Sequence, residues 1–299
     1  MRIVGICPCR NEDWIAGFTF RAHLMWLDHL VVLDHASTIP VETAGFWDAP
    51  DEDRVTVLHE PSLVWDEMRD RQRLLDEARR LGATHIVYID ADEAVTANII
   101  RCMRDYLRRM PSHCQLYLPW IQIRDSIDRM HVSGLWARSN MMVAFQDTDV
   151  QHWHPDAVGY QHHHREPYGV TPNMYRPVEW GQGGLLHFQM ADEYRLRVKQ
   201  FWYCLVERLR WPARKTAEQI RLQYSPTVYG SAPARTPMEP WYPEHNLAQV
   251  PEEWIGVYRS LMDEYLHLDT GPWQLEACQE MLRVQPSLRD GLDAFGTGL

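Results

Sequence analysis

Apolar runs and amphipathic stretches alternate along the first 110 residues. Four short apolar runs have the length and composition of buried strands. They lie at residues 2–7, 30–33, 55–58 and 85–89. Between and after them, apolar residues recur at helical spacing. The helices that this spacing predicts lie over 15–25, 68–81 and 98–109.

This order of elements predicts an α/β fold. Strands that alternate with helices form a mainly parallel sheet flanked by helices. Ligands of such open sheets bind beyond the carboxyl ends of the strands. We therefore expect polar residues that follow the strands to face one crevice.

The pattern after residue 120 is mixed. Its predicted segments are a loop over 151–177, a strand over 184–188, a helix over 194–211, a Pro-rich loop over 224–251, and helices over 254–266 and 273–282. We expect one large domain over residues 1–211. A loop-rich and helical C-terminal extension would follow over residues 212–299.

Bulk composition narrows the class of protein. The chain has 299 residues, of which 45% are hydrophobic and 24% charged, as in ordinary globular proteins. A formal net charge of -11 disfavours nucleic acid as the main partner. Six scattered cysteines fit neither a disulfide framework nor a paired zinc motif, which favours a reducing cytoplasm. No signal-peptide pattern or apolar span of ~18 residues occurs, so we expect no transmembrane segment.

Three polar clusters follow predicted strands. They are Pro8–Glu12, Asp34–Thr38 and Asp90–Glu93. Because the carboxyl ends of parallel strands share one edge of a sheet, these chain-distant clusters are predicted to converge.

The sharpest of these features is Asp90-Ala91-Asp92. Carboxylates two residues apart in an extended segment point the same way and can reach one cation. Mg²⁺ and Mn²⁺ take such oxygen ligands and accept more from phosphates. A cation here would stabilise a diphosphate leaving group. The alternative interpretation is a solvated acidic turn.

Other polar residues support two interpretations each. His187 ends an apolar strand, as a hydrogen-bonded structural histidine or as a metal ligand does. Arg69 and Arg73 share a helix face that suits phosphate or a pyrimidine edge, or is simply a charged face. A histidine-rich tract could bind zinc, although a polar loop is the plainer interpretation. It comprises His152, His154, His162, His163 and His164.

Read in chain order, four motifs resemble those of glycosyltransferase family 2, which has the GT-A fold. Pro8–Glu12 resembles its first-strand RNE motif, and Leu33–Thr38 resembles its DNGSTD turn. Ile89–Glu93 resembles its DADE metal motif, and Leu186–Phe188 its late HF element. The resemblance covers roughly residues 1 to 210.

The resemblance implies a metal-dependent enzyme that moves a sugar from a nucleotide-diphosphate sugar to an acceptor hydroxyl, with inversion at the anomeric carbon. It implies a nucleotide-sugar site at Pro8, Arg10, Asn11, Glu12, Asp34, His35, Arg69, Arg73, Asp90, Ala91 and Asp92. Asp90 would lie by the ribose or sugar. Mn²⁺ or Mg²⁺ is implied at Asp90, Asp92 and His187.

The chain also departs from the family motifs. His35, Ala36 and Ile39 replace the usual Asp or Asn, Gly and Asp, which leaves the nucleotide base open. No motif fixes the catalytic base that would deprotonate the acceptor. The candidates are Glu179, then Glu166 and Asp156.

Alternatives remain for the acceptor and the reaction. A glycan or another hydroxyl acceptor is favoured, with the C-terminal extension on the acceptor side. Cations interleaved with aromatics over Arg195–Lys215 fit a solvated helix face, an anionic membrane surface or modified nucleic-acid bases. A nucleotidyltransferase would use similar carboxylates but usually has a Gly-rich phosphate loop, which this N-terminus lacks. A non-catalytic binding protein is disfavoured by the intact aspartates.

Overall fold

The computed structural model describes residues 1–44, 52–62, 66–133, 137, 139–153, 165–170, 173–229, 246–268, 274–292 and 297. They divide into two compact units. Unit 1 is Met1–Trp120, Asn140–Leu186 and Pro251–His267. Unit 2 is Ile121–Ser139, His187–Val250 and Leu268–Leu299. The domain boundary after residue 211 stays a prediction.

The described residues form strands and helices in alternation. The strands are β1 (Ile3–Cys9), β2 (His29–His35), β3 (Val55–Glu60), β4 (His85–Tyr88), β5 (Glu93–Val95), β6 (Cys114–Arg124), β7 (Arg129–His131), β8 (Asn140–Gln146), β9 (Asn173–Tyr175), β10 (Leu185–Met190) and β11 (Leu247–Gln249). The helices are α1 (Ala16–Leu24), α2 (Glu67–Arg80), α3 (Ala97–Ile100), α4 (Met103–Arg109), α5 (Glu193–Arg210), α6 (Ala217–Tyr229), α7 (Glu252–Ile255), α8 (Arg259–Tyr265) and α9 (Gln274–Val284).

The central sheet of unit 1 has the strand order β3-β2-β1-β4-β8-β6. Its first four strands are parallel. β8 then runs antiparallel to both β4 and β6, and β9 pairs in parallel with β6. The predicted α/β fold, a mainly parallel sheet flanked by helices, is confirmed.

Both faces of β1 and β2 are buried, whereas β3 at the edge of the sheet is half-buried. Val4 and Ile6 pack in one cluster with Leu74 of α2. On the other face, a Cβ added to Gly5 would lie 2.5 Å from a methyl carbon of Leu27, so glycine lets the chain after α1 approach the sheet closely. Burial on two sides explains why these strands are continuous apolar runs in the sequence.

Helix α2 has the ends that its sequence predicts. The Asp66 carboxylate accepts a hydrogen bond from the Arg69 amide at 3.3 Å and caps the first turn. At the other end, Gly82 adopts φ +75°, and its amide donates to the Arg79 carbonyl at 2.8 Å.

Unit 2 is built around helices α5, α6 and α9, whose apolar faces share one core. Asp192 caps α5 by accepting from the Arg195 amide at 2.7 Å. The buried Glu207 carboxylate accepts from the Tyr224 hydroxyl at 2.6 Å and from the Lys215 ammonium at 3.0 Å. This polar centre therefore ties α5 to α6 and to the turn between them.

Several sequence predictions differ from the structure. The helix predicted over residues 98–109 is two short helices, α3 and α4, and the helix predicted over 254–266 is divided into α7 and α8. The loop predicted from residue 224 begins as the end of α6, and β11 lies in its last part. The loop predicted over 151–177 contains β9. No helix among the described residues combines the length and apolar character needed to cross a membrane.

Candidate functional site

The loops after β1 and β2 are joined by direct hydrogen bonds. The Asn11 amide donates to the Ser37 hydroxyl at 2.9 Å, and the Thr38 amide donates to the Asn11 side-chain oxygen at 2.8 Å. Asn11 has φ 54°, a left-handed conformation that asparagine tolerates better than most residues. Asn11, predicted as a nucleotide contact, thus fixes the first two loops to each other.

Asp34 shapes the turn after β2. Its two carboxylate oxygens accept from the Ser37 amide at 3.1 Å and from the Val41 amide at 2.9 Å. Ala36 has φ 51° in this turn, at the position where the resembled motif has glycine. The turn therefore keeps a conformation that glycine adopts readily, although its residue has changed.

The Asp90–Glu93 segment is anchored on two sides. The Ile89 amide donates to the Ile6 carbonyl of β1 at 3.2 Å. The Thr19 hydroxyl of α1 donates to the Ala91 carbonyl at 2.6 Å. The backbone between the two aspartates therefore has a fixed position against the sheet and α1.

Acidic groups lie near the carboxyl half of β1. Burial raises the pKa of the Cys7 thiol, the neighbouring Cys9 raises it further, and Asp90, Asp92 and Glu93 add to the effect. On its two sides, β1 pairs in parallel with β2 and with β4. The loops after β1, β2 and β4 therefore lie side by side at the carboxyl edge of the sheet.

The two aspartates have different environments. The Asp90 side chain is 38% exposed, whereas Asp92 is 4% exposed. The Asp90 amide donates to a Glu93 carboxylate oxygen at 3.0 Å, and the Glu93 amide donates to the Asp90 carbonyl at 3.1 Å. Asp90 is therefore partly open to solvent, whereas Asp92 is enclosed by the protein. Carboxylate oxygens are ligands that a hard cation takes together with those of a diphosphate.

Arg165 was not expected from the sequence. Its guanidinium donates to both carboxylate oxygens of Glu93, at 2.9 and 2.7 Å, and to Asp90 at 3.3 Å. Burial raises the pKa of Glu93 to about 7, although Arg165 acts in the opposite direction. Arg165 follows the histidine tract and shows no periodic pattern, so no sequence signal marks it.

The predicted cations of α2 lie at its outer side. Arg73 donates to a Glu60 carboxylate oxygen at 2.7 Å and to the His59 carbonyl at 3.1 Å. Arg69 lies 3.1 Å from Glu60 and 3.1 Å from Asp70. Both side chains are more than a third exposed, so they could still approach an anion at the end of β3.

Arg71, between them, points into the protein. It forms a buried ion pair with Glu67, and its guanidinium lies 4.1 Å from the ring centre of Tyr88. Burial raises the pKa of Glu67 to about 7, against the influence of Arg71. No sequence signal marks this pair, because Arg71 stands within a run of mostly charged residues, Arg69–Arg73.

The other residues after β1 that were predicted to contact the nucleotide sugar also interact with the protein itself. Pro8 is half-buried. Burial lowers the pKa of Arg10 to about 10, and Asp34 acts against that shift. The Glu12 carboxylate accepts from the Trp14 indole at 2.7 Å.

His35 has an internal position. Its side chain is fully buried, and its Nδ1 lies 2.7 Å from the Asp70 carboxylate. His35 therefore joins β2 to α2, and its predicted contact with a nucleotide stays a prediction.

His187 lies in unit 2. Its Nδ1 lies 2.8 Å from the side-chain oxygen of Gln122, and the residue is 6% exposed. Because an amide oxygen accepts, Nδ1 carries the hydrogen, and Nε2 is the nitrogen suited to a metal.

Two predicted base candidates are exposed carboxylates. Glu179 lies on the loop before β10, and Glu166 accepts from the Tyr117 hydroxyl. Burial and then Glu166 raise the pKa of Tyr117. The third candidate, Asp156, lies outside the described residues, as does the histidine tract apart from His152, which stacks on Tyr168.

One cluster in the described part of the chain has three potential metal-ligand atoms close together. Ligand atoms of Asp34, Glu42 and His59 lie within 4.8 Å of one another. Glu42 and His59 are exposed and bond to each other at 2.6 Å. This contact accounts for the cluster without an ion.

The basic segment over Arg195–Lys215 makes many intramolecular contacts. Arg197 pairs with Glu193, Arg208 donates to the carbonyls of Leu288 and Asp290, Lys215 pairs with Glu207, and Arg210 and Arg214 lie over the Trp211 ring. These contacts favour the interpretation as a structural helix and its following turn.

Similarity to known proteins is confined to solved structures, since no protein-family model and no curated protein matches the chain. S. aureus TarS 1-349 in complex with UDP-GlcNAc has TM-score 0.43 and 9% identity, covering 76% of this chain and 72% of that chain. The mannosyltransferase PcManGT from Pyrobaculum calidifontis, in complex with GDP-Man and Mn2+, has TM-score 0.34 and 12% identity. The match covers 99% of this chain and 79% of that chain. 4-Diphosphocytidyl-2C-methyl-D-erythritol synthase has TM-score 0.33 and 12% identity, and the match covers 48% of this chain and 75% of that chain. Likeness at this level decides neither family nor activity.

Proposed function

We propose that this protein is a glycosyltransferase that moves a sugar from a nucleotide-diphosphate sugar to an acceptor hydroxyl. The observation that supports this function best is the meeting of three loops at one edge of the sheet. Asn11 bonds the loop after β1 to the loop after β2, and the Asp90–Glu93 segment is anchored between β1 and α1.

Each residue of this edge has a role in the proposal. Asp34 and Arg10 would border the nucleoside, and the half-exposed Asp90 would accept a hydroxyl of the ribose or sugar. Asp92 would hold Mn²⁺ or Mg²⁺ with the donor's diphosphate, and His187 is a further ligand predicted from the sequence.

The chemistry follows from the bond that breaks. Transfer separates the anomeric carbon from a diphosphate oxygen, so negative charge grows on the diphosphate. A bound divalent cation supplies Lewis-acid stabilisation of that charge. An exposed carboxylate, Glu179 or Glu166, would take the proton of the acceptor hydroxyl, and attack opposite the leaving group would invert the anomeric carbon.

The acceptor in this proposal is a glycan or another hydroxyl compound. A modified nucleic-acid base is less well supported, because the net charge is -11 and the cations of the basic segment have partners within the protein.

A thermal-unfolding panel tests the function. Nucleoside diphosphates, nucleotide sugars and nucleoside triphosphates are each added with and without Mn²⁺. We expect a nucleotide sugar to raise the Tm only when Mn²⁺ is present, because a ligand of the native state stabilises it. Asp92→Asn should abolish that shift, while Asp263→Asn, an exposed aspartate on α8, should keep it.

Two other results would contradict the proposal. Stabilisation by a nucleoside triphosphate alone would favour a nucleotidyltransferase. A full Mn²⁺-dependent shift in Asp92→Asn would refute the assigned metal role.

A further inference from the structure

Arg165 is the most completely bonded cation beside the candidate site. Its Nη1 and Nη2 donate to the two oxygens of Glu93, at 2.9 and 2.7 Å. Its Nε donates to the Met142 carbonyl at 2.7 Å, and Nη2 also reaches the Tyr88 carbonyl at 2.9 Å. Since every nitrogen of the planar guanidinium is engaged, its orientation is fixed.

Glu93 is held as firmly as Arg165. Besides Arg165, its carboxylate accepts from the Trp120 indole at 3.0 Å and from the Asp90 amide at 3.0 Å. Glu93 is fully buried and Arg165 is 8% exposed. A buried ion pair whose remaining positions are satisfied in this way is a rigid element.

This rigid pair also contacts the open aspartate. Arg165 Nη1 lies 3.3 Å from Asp90 Oδ2, while the Asp90 side chain remains 38% exposed. A cation this close repels a second cation from the same oxygen. Oδ1 of Asp90 is then the oxygen better placed to accept a hydroxyl from a ligand.

We propose that Arg165 is a positioning residue, which orients the Asp90 carboxylate to accept a donor hydroxyl and keeps the metal ion at Asp92. The inference rests on the proposed function. It adds the residue that gives the two aspartates different roles, Asp90 as acceptor of a hydroxyl and Asp92 as metal ligand. Arg165 acts through Asp90, with Glu93 and Trp120 as its support.

A double-mutant cycle with Arg165→Lys and Asp90→Asn tests this role. Lysine keeps the positive charge but cannot make the bidentate hydrogen bond to the Glu93 carboxylate. The Kd of the nucleotide sugar that stabilises the wild type is measured by calorimetry in Mn²⁺. We expect each single variant to weaken binding by about tenfold, as loss of a charged hydrogen bond does. The double variant should bind no more weakly than Asp90→Asn alone.

A matched control is Arg79→Lys. Arg79 makes a similar bidentate hydrogen bond to the Asp147 carboxylate, at 2.9 and 2.8 Å, and donates to the Gln151 carbonyl at 2.8 Å. We expect this variant to lower the Tm without changing the Kd. It separates loss of a partly buried bidentate ion pair from loss of the contact with Asp90.

A second variant guards against misfolding. Arg165→Gln combined with Glu93→Gln removes both buried charges and leaves neither uncompensated, and its Kd should match that of Asp90→Asn. Two results would overturn this inference and leave the proposed function standing. One is a double variant whose loss of affinity equals the product of the two single losses. The other is an unchanged Kd in Arg165→Lys. Failure of the wild type to bind any nucleotide sugar would overturn the proposed function, and the inference with it.

Discussion

His35 on β2 and Asp70 on α2 form a buried contact, with Nδ1 2.7 Å from Oδ2. His35 stands where the resembled motif usually has Asp or Asn. Because both side chains are buried, this departure changes how β2 is joined to α2 and leaves the exposed edge of the site intact. The altered motif is therefore compatible with the same ligand chemistry.

Asp70→Ala should destabilise the fold. Loss of the carboxylate leaves a buried imidazole N–H without its acceptor, at a cost of about 2 kcal/mol. Urea denaturation measures this loss in the free energy of unfolding. The control is Asp76→Ala on the exposed side of α2, which should lose about 0.5 kcal/mol or less. A stable Asp70→Ala protein that no longer binds nucleotide would instead place His35 among the ligand contacts.

Gly183→Ala should be more damaging than Gly181→Ala. Both glycines have positive φ, +121° and +87°. A Cβ on Gly183 would lie 2.6 Å from the Thr96 hydroxyl, whereas a Cβ on Gly181 would meet nothing within 4 Å.

Backbone strain alone costs about 1–3 kcal/mol in either variant. The clash at Gly183 adds roughly another 1–3 kcal/mol. Chemical denaturation of the two variants gives the difference directly. Equal losses would show that the Thr96 side chain moves aside at little cost.

The sequence predicted the parallel half of the sheet because its inner strands β1 and β2 are buried on both faces. Continuous apolar runs such as Leu30–Leu33 arise from this burial, and polar residues begin where each strand leaves the core. The position of Asp90–Glu93 beside the end of β1 follows from topology alone.

What the sequence could not predict depends on contacts between distant residues. Arg165 meets Glu93 across 72 positions, and neither residue has a local pattern that selects the other. Helix α6 continues past residue 224, where the sequence predicted a loop, and its residues Ile220 and Tyr224 pack in one core with α5.

His23 should make the fold sensitive to acid. Burial lowers its pKa from 6.5 to about 4, its bond to the Glu93 carbonyl acts in the opposite direction, and Arg165 lowers the pKa further. Because the folded-state pKa lies below the unfolded value, the unfolded chain binds more protons between these two pH values. Stability is therefore complete above about pH 6.5 and falls as the pH decreases towards 4.

The shift corresponds to about 3 kcal/mol. Urea denaturation at pH 7, 6, 5 and 4 measures the decline, and His23→Gln should flatten it while keeping a donor for the Glu93 carbonyl. A variant curve parallel to the wild-type curve would show that other groups, such as the buried His131, cause the acid sensitivity.

Glu179→Gln should lower kcat while leaving donor binding intact. An amide cannot accept the acceptor's proton, and loss of a general base typically costs 10²–10⁴-fold. Glu166→Gln is the matched variant, because Glu166 is also exposed but accepts a hydrogen bond from the Tyr117 hydroxyl. Steady-state kinetics with a saturating nucleotide sugar separates the two. If Glu166→Gln loses kcat and Glu179→Gln keeps it, the roles are exchanged, and Tyr117→Phe should then alter the pH profile of the reaction.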